Sequence, residues 1–188
     1  MSSTLHKMNT ELITGILSLY KKELGSNFEK YHNHSCRVFV YASILSNTTE
    51  DKKNQLAIAS AFHDIGIWVA NTFDYLEPST KLAEKYLTQH KLDHWIDNVK
   101  EIINNHHKLT PFKKNQLAEN FRKADLIDLT FGFIKFGISP AQIAENKKTV
   151  SSFRIPVIHF QKNFKKYGQA PFKSTANCKV VIQHLRNM

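Results

Sequence analysis

The chain has 188 residues, of which 41% are hydrophobic and 22% charged. That is one domain's worth of sequence with enough apolar material for a packed core, which excludes a disordered chain. Lys and Arg number 26 against 16 Asp and Glu, a formal net charge of +10, and this balance favours an anionic partner: a phosphorylated metabolite, a nucleic acid or a membrane surface.

Six glycines and five prolines supply few turns, which argues against a sandwich or barrel of many hairpins and for long helices. Cys36 and Cys178 form no C-x-x-C pair, so neither a disulfide framework nor a thiolate zinc motif is expected; the plain reading is reduced, cytosolic thiols. No run of about 18 uncharged apolar residues marks a transmembrane helix. The N-terminus, with Glu11 just before a short apolar stretch and no small-residue cleavage site, is a poor signal peptide. A cytoplasmic protein without a membrane partner is expected.

Asn9 to Leu24 reads as a helix, with Asn9 or Thr10 as N-cap and Gly25 as the stop. A second runs from about Asn27 to Leu45 and ends in Ser46-Asn47-Thr48-Thr49. Thr49 caps a third, which ends near Asp64, before Gly66. The connection from Trp68 to Pro78 carries Phe73, Asp74, Tyr75 and Glu77, and Pro78 suits the first turn of a fourth helix reaching about His90. Asp93 caps a fifth to about His107, with Pro111 marking the break. Asn115 to Gly132 reads as a sixth, and Ser139-Pro140 opens a short seventh. Beyond Ser151 an amphipathic stretch, Val157 to Tyr167, precedes a turn-like Gly168 to Pro171 and an apolar end at Val180, Val181 and Leu185. Sustained period-two alternation is lacking. The expected class is all-α, a single domain over 1–188 with a helical C-terminal extension from 139 to 188.

Titratable residues continue the apolar stripes of these helices. His34 falls in register with Val38, Tyr41 and Leu45, and His63 with Leu56 and Ala59, with Asp64 beside it. His106 follows Ile96, Val99 and Ile103, and Asp125 and Asp128 follow Leu117 and Phe121. One such residue has an ordinary explanation as a satisfied core histidine or a half-solvated aspartate. Four helices each turning a His or Asp inward are different, because a buried carboxylate is costly unless paired or bound to a cation. One divalent metal at the centre satisfies them together. Imidazole nitrogen and carboxylate oxygen suit Zn, Mn, Fe, Ni or Co, and the lack of thiolates favours an open, water-holding site over a closed structural one.

His34 with Arg37-Val38 after it (H-x-x-R-V), His63-Asp64 followed by Ile65-Gly66, and Asp125 within Ala124-Asp125-Leu126-Ile127-Asp128 resemble, in that order, the HD-domain metal-dependent phosphohydrolase superfamily. The resemblance covers about residues 31 to 129. It implies a compact helical bundle with a metal site between helices, and it implies that His34, His63, Asp64 and Asp125 ligate one metal. Such an ion lowers the pKa of bound water for in-line attack on phosphorus, and Asp64 then serves as both ligand and orienter of the water. His106 matches a position that relatives use for a second metal or for phosphate contact; His107, about 100° round the helix, is expected to face solvent. Relatives with two metals carry another His soon after the HD doublet, where this chain has Glu77-Pro78-Ser79. One metal is therefore favoured and a second left open. Glu77 is a candidate general acid or base, or second-metal ligand, against the alternative of a first-turn residue stabilised by the helix dipole.

Arg37 and Lys108 are candidate anchors for substrate phosphate, although Arg37 suits a structural ion pair equally well. Glu77 and Lys81, at i and i+4, invite a surface salt bridge. Trp68, Phe73 and Tyr75 either line a pocket for a flat group or pack on the core. In the basic, aromatic tail, Val157, Phe160 and Phe164 share one side and Lys162, Lys165 and Lys166 the other, the pattern of a surface helix rather than a nucleic-acid platform. The leading expectation is hydrolysis of a phosphate ester or anhydride of a small anion, with a nucleotide the common choice among relatives. The alternatives are a di-iron oxygenase or a hydratase on the same scaffold, or a non-catalytic, metal-stabilised nucleic-acid or signalling module.

Overall fold

The computed structural model describes residues 2–150, except 73 and 109, with side chains from residue 9 onward. Among the described residues there are helices and turns and no strand. The helices are α1 (Ser2–Ser18), α2 (Lys21–Leu24), α3 (Phe28–Ser46), α4 (Glu50–Phe62), α5 (Gly66–Val69), α6 (Leu76–Gln89), α7 (Ile96–Asn105), α8 (Gln116–Leu129) and α9 (Pro140–Thr149). The all-α expectation holds. The amphipathic stretch expected over Val157 to Tyr167 lies outside the described residues.

Local chemistry accounts for most boundaries. Asn115 caps α8 by accepting from the backbone N–H groups of Leu117 and Ala118, two of the donors a helix start leaves unsatisfied. Ser139 and Gln142 form a reciprocal capping box at the start of α9, with Pro140 at the first helical position. Pro78 sits in the first turn of α6, two residues after its start. Three expectations need correction. The first helix begins at Ser2, before the Asn9 and Thr10 caps, and breaks after Ser18 into a turn that the short α2 follows. Asp93 does not cap α7; it opens a 3₁₀ turn over Asp93–Trp95, and its carboxylate accepts from Thr88 Oγ1 at 3.0 Å. That helix also ends at Asn105, leaving His106 and His107 in the turn after it.

The most extensive contact joins α3 to α8, and α4 packs against α1, α3 and α7. Tyr31, Val38, Phe39 and Tyr41 from α3, Leu56, Ala59 and Phe62 from α4, Ile102 and Ile103 from α7, and Phe121, Ala124 and Ile127 from α8 are buried together. Fully burying a Val, Leu, Ile or Phe side chain stabilises by about 1.5–3 kcal/mol. These are the stripes on which the inward-facing His and Asp residues lie, so closing the core brings those residues to one place.

Candidate metal centre

His34 comes from the middle of α3, His63 and Asp64 from the turn ending α4, His106 from the turn ending α7, and Asp125 and Asp128 from α8. Apart from Asp64, whose side chain keeps 19% of its exposure, all are buried. His34 Nε2 lies 3.0 Å from His63 Nε2 and 3.4 Å from Asp125 Oδ1. Asp64 Oδ2 is 3.5 Å from His63 Nε2 and 4.0 Å from His34 Nε2. His106 Nε2 approaches the other oxygen of Asp64, Oδ1, at 3.2 Å. His34, His63 and Asp125 each offer one donor atom within 4.8 Å of the others, a cluster able to hold a metal ion.

The far side of each ring decides what its Nε2 can do. His63 Nδ1 lies 2.9 Å from the Ser60 carbonyl, and His106 Nδ1 lies 2.6 Å from the Ile103 carbonyl. Both acceptors are carbonyls three residues back at a helix C-terminus, where the ladder no longer supplies N–H partners. His34 Nδ1 lies 2.7 Å from Asp128 Oδ2. Carbonyls and carboxylates only accept, so each Nδ1 carries the proton and, in the neutral rings, each Nε2 is a lone pair. Two lone pairs 3.0 Å apart repel unless a positive charge lies between them. Asp125 Oδ1 stands beside them, buried and without a hydrogen-bond partner. Ligands bound at about 2.1 Å to one ion stand about 3.0–3.4 Å from each other, close to the 3.0 and 3.4 Å that separate His34 Nε2 from His63 Nε2 and Asp125 Oδ1, while His63 Nε2 and Asp125 Oδ1 are 3.9 Å apart. The donor set fits a divalent cation.

Electrostatics without an ion carry the same signature. Burial pushes the Asp125 carboxyl up to about 6, although His106 and His34 pull it down. Burial lowers His63 to about 3, so that ring stays neutral. Burial alone would lower His34, but its hydrogen bond to Asp128 and the neighbouring carboxylates raise it. Burial opposes the charge on Asp64, yet His63, His106 and His34 outweigh it and hold its carboxyl well below the usual range.

Several sequence candidates stand elsewhere. Glu77 is on the surface of α6, its side chain 71% exposed and 2.7 Å from Lys81 Nζ; the i, i+4 pair with Lys81 is the contact the structure gives it. Arg37 is buried with its guanidinium on Asp128, Nε to Oδ1 at 2.7 Å and Nη2 to Oδ2 at 2.9 Å, so it is not presented to a substrate. Lys108 is exposed, with Nζ 4.9 Å from the centre of the Phe112 ring. His107 does not face solvent: it is half-buried, its Nδ1 is enclosed without a partner, and burial and His106 lower it to about 4. Trp68 packs on the core with its ring 4.8 Å from that of Tyr31, and Tyr75 is buried 6.3 Å from His106; Phe73 lies outside the described residues.

Two residues at the site carried no assigned role in the sequence. Tyr31 donates its hydroxyl to the Ala61 carbonyl at 3.0 Å and accepts from the Asp64 backbone N–H at 3.1 Å, which ties α3 to the turn bearing the HD doublet. Asp128 was visible as the last member of the α8 stripe, three residues past Asp125, and that register was the signal for it.

The family described as HD domain matches residues 31–130, more than half of the chain, with the His34, His63-Asp64 and Asp125 segments inside it. The chain belongs to the HD domain family. Comparison with curated proteins and with solved structures returned no match. Among the described residues, no helix is long and apolar enough to cross a membrane.

Proposed function

We propose that this HD domain protein is a metal-dependent phosphohydrolase, cleaving a phosphate ester or anhydride of a small anionic substrate, with nucleotides the first compounds to try. The observation that carries the reading is the buried meeting of His34 Nε2 and His63 Nε2, 3.0 Å apart, with the unpartnered carboxylate oxygen of Asp125. His34 Nε2, His63 Nε2, Asp125 and Asp64 would hold the ion, one of Mn, Zn, Fe, Ni or Co. When bound, a divalent cation supplies Lewis acidity and lowers the pKa of a coordinated water toward neutrality.

The chain's own groups do the rest. Asp64 is the most exposed of the four, at 19% of its side chain, so it stands where the cluster comes nearest solvent. Its carboxylate stays ionised, which suits it to accept a hydrogen bond from the attacking water and orient it in line with phosphorus. His106, fixed by the Ile103 carbonyl, presents Nε2 beside Asp64 Oδ1 and contacts a phosphoryl oxygen when protonated. The net charge of +10 favours the approach of an anion.

A second reading has one observation in its favour. Asp64 turns Oδ2 toward His63 and Oδ1 toward His106, so its two oxygens face different imidazoles, and Asp64 with His106 would be available to hold a second ion, as in a di-iron oxygenase on this scaffold. Elemental analysis of protein purified without added metal separates the two by identity and count. The metal-replete protein is expected to release phosphate from a phosphoester and nucleotide panel, and chelation or His63→Ala should reduce release by about a hundredfold or more. Two irons per chain and no phosphate release anywhere on the panel would overturn the phosphohydrolase.

A further inference from the structure

His34 can offer Nε2 as a donor only while Nδ1 keeps the ring's proton, and the group that keeps it there is a carboxylate. Asp128 Oδ2 lies 2.7 Å from Nδ1. A carboxylate can accept only, so this contact selects the Nδ1–H tautomer and adds electron density to the ring. Asp128 is itself held at both oxygens by Arg37, at 2.7 and 2.9 Å, a bidentate grip that leaves the carboxylate little freedom to turn. Arg37 sits one turn beyond His34 on α3, and Asp128 sits three residues beyond Asp125 on α8. The two helices that bring His34 and Asp125 together thus bring the clamp together one turn away. The grip extends outside the matched family segment, because Asn146 Nδ2 of α9 donates to the Arg37 carbonyl at 3.1 Å in a buried contact.

A buried ion pair by itself is weak evidence of anything beyond packing, since apolar residues of similar volume often replace one without loss. The third partner makes the difference: of the two Asp128 oxygens, Oδ2 is shared between Arg37 and the one ring nitrogen of His34 that must not lose its proton. We propose that Asp128, clamped by Arg37, is a positioning residue that locks His34 in the Nδ1–H tautomer and so makes Nε2 a metal-donor atom. The inference rests on the metal-site reading above.

The test uses the full chain carrying Asp128→Asn, and a second variant, Arg37→Met with Asp128→Leu, which removes the pair without stranding a buried charge. Calorimetric titration with Mn²⁺ is expected to show affinity about 10–100-fold weaker than wild type in both. Side-chain ¹⁵N–¹H correlation spectra of the ion-free protein at pH 8.5 should show His34 as Nδ1–H in wild type and shifted toward Nε2–H in the variants. A folded variant that binds Mn²⁺ like wild type overturns the role. So does weakened binding with the Nδ1–H tautomer intact, because a purely structural pair would produce that pattern. Wild-type protein that binds no divalent ion would sink the proposed function instead, and the tautomer spectra would still decide the role of Asp128.

Discussion

An ionised carboxylate without a partner destabilises the fold that buries it, and Asp125, with Oδ1 enclosed and unbonded, is such a group. Its carboxyl titrates at about 6 in the folded chain against an ordinary 3.8. A raised folded-state value costs stability at neutral pH. The cost shrinks as the folded chain takes up a proton below about pH 6, and it vanishes below about pH 4, where the unfolded chain is protonated as well. Asp125→Asn is therefore expected to stabilise the ion-free protein by about 1–3 kcal/mol at pH 7 and to leave it unchanged at pH 3.5, read from urea unfolding at the two pH values. The same variant loses an anionic donor, so its affinity for a divalent ion should fall about tenfold or more. Opposite signs for stability and binding are what separate a functional carboxylate from a structural one. His63 behaves differently: held near 3 by burial, it needs no deprotonation to act as a donor at any ordinary pH.

At the scale of elements, the ends of helices carry the site. The C-terminal turns of α4 and α7 leave carbonyls without ladder partners, and His63 and His106 spend Nδ1 on them. Each ring is thereby aimed with Nε2 outward from its helix. The turn after α4 must also lie close to α6, and Gly66 makes that possible. A Cβ there would collide with the Tyr75 carbonyl and lie 2.9 Å from Ser79 Oγ, the group that accepts the Gly66 N–H. Gly66→Ala is expected to cost about 1–3 kcal/mol through overpacking, measured as a lower midpoint in urea. On the other side, Glu119 fastens the loop after α7 to α8: it grips Arg122 at 2.7 and 2.8 Å and accepts the Phe112 N–H. The hydrogen bonds from Arg122, against the opposing effect of burial, bring its carboxyl to about 2. A depressed value contributes stability above the ordinary 4.5 that disappears as pH falls toward 2. Glu119→Gln should flatten that acid slope, seen as a thermal midpoint that depends less on pH between about 4.5 and 2 than in wild type.

Over the whole molecule, the cluster exists only when α3, α4, α7 and α8 are packed, because its members come from positions as far apart as 34 and 125. An ion that binds the assembled site and not the unfolded chain stabilises by mass action, about 2.7 kcal/mol at a hundred times its dissociation constant. For a chain of this length that is a rise of about 5–10 °C in Tm, to be seen by scanning fluorimetry on adding Mn²⁺ and absent in His63→Ala. Much of this arrangement was legible beforehand. The stripes that carry His34, His63, His106 and Asp125 are periodic along single helices, and the caps at Asn115 and Ser139 involve residues two or three apart. Periodicity and capping are set by the local backbone, so one segment of sequence suffices to read them. Other features joined residues with no local relation. Arg37 read equally well as a phosphate anchor until α3 met α8 and the guanidinium found Asp128, 91 positions away. Glu77 lay near the doublet in sequence, but α6 turns it to the surface, where Lys81 meets it. His107 follows His106 out of α7 into a turn that encloses its Nδ1 instead of exposing it. Local sequence determined the helices and which of their faces would be buried. Which buried polar groups meet, and which nitrogen of each ring keeps its proton, was decided by the packing of distant helices, because hydrogen bonds act over about 3 Å and that distance is set only in three dimensions.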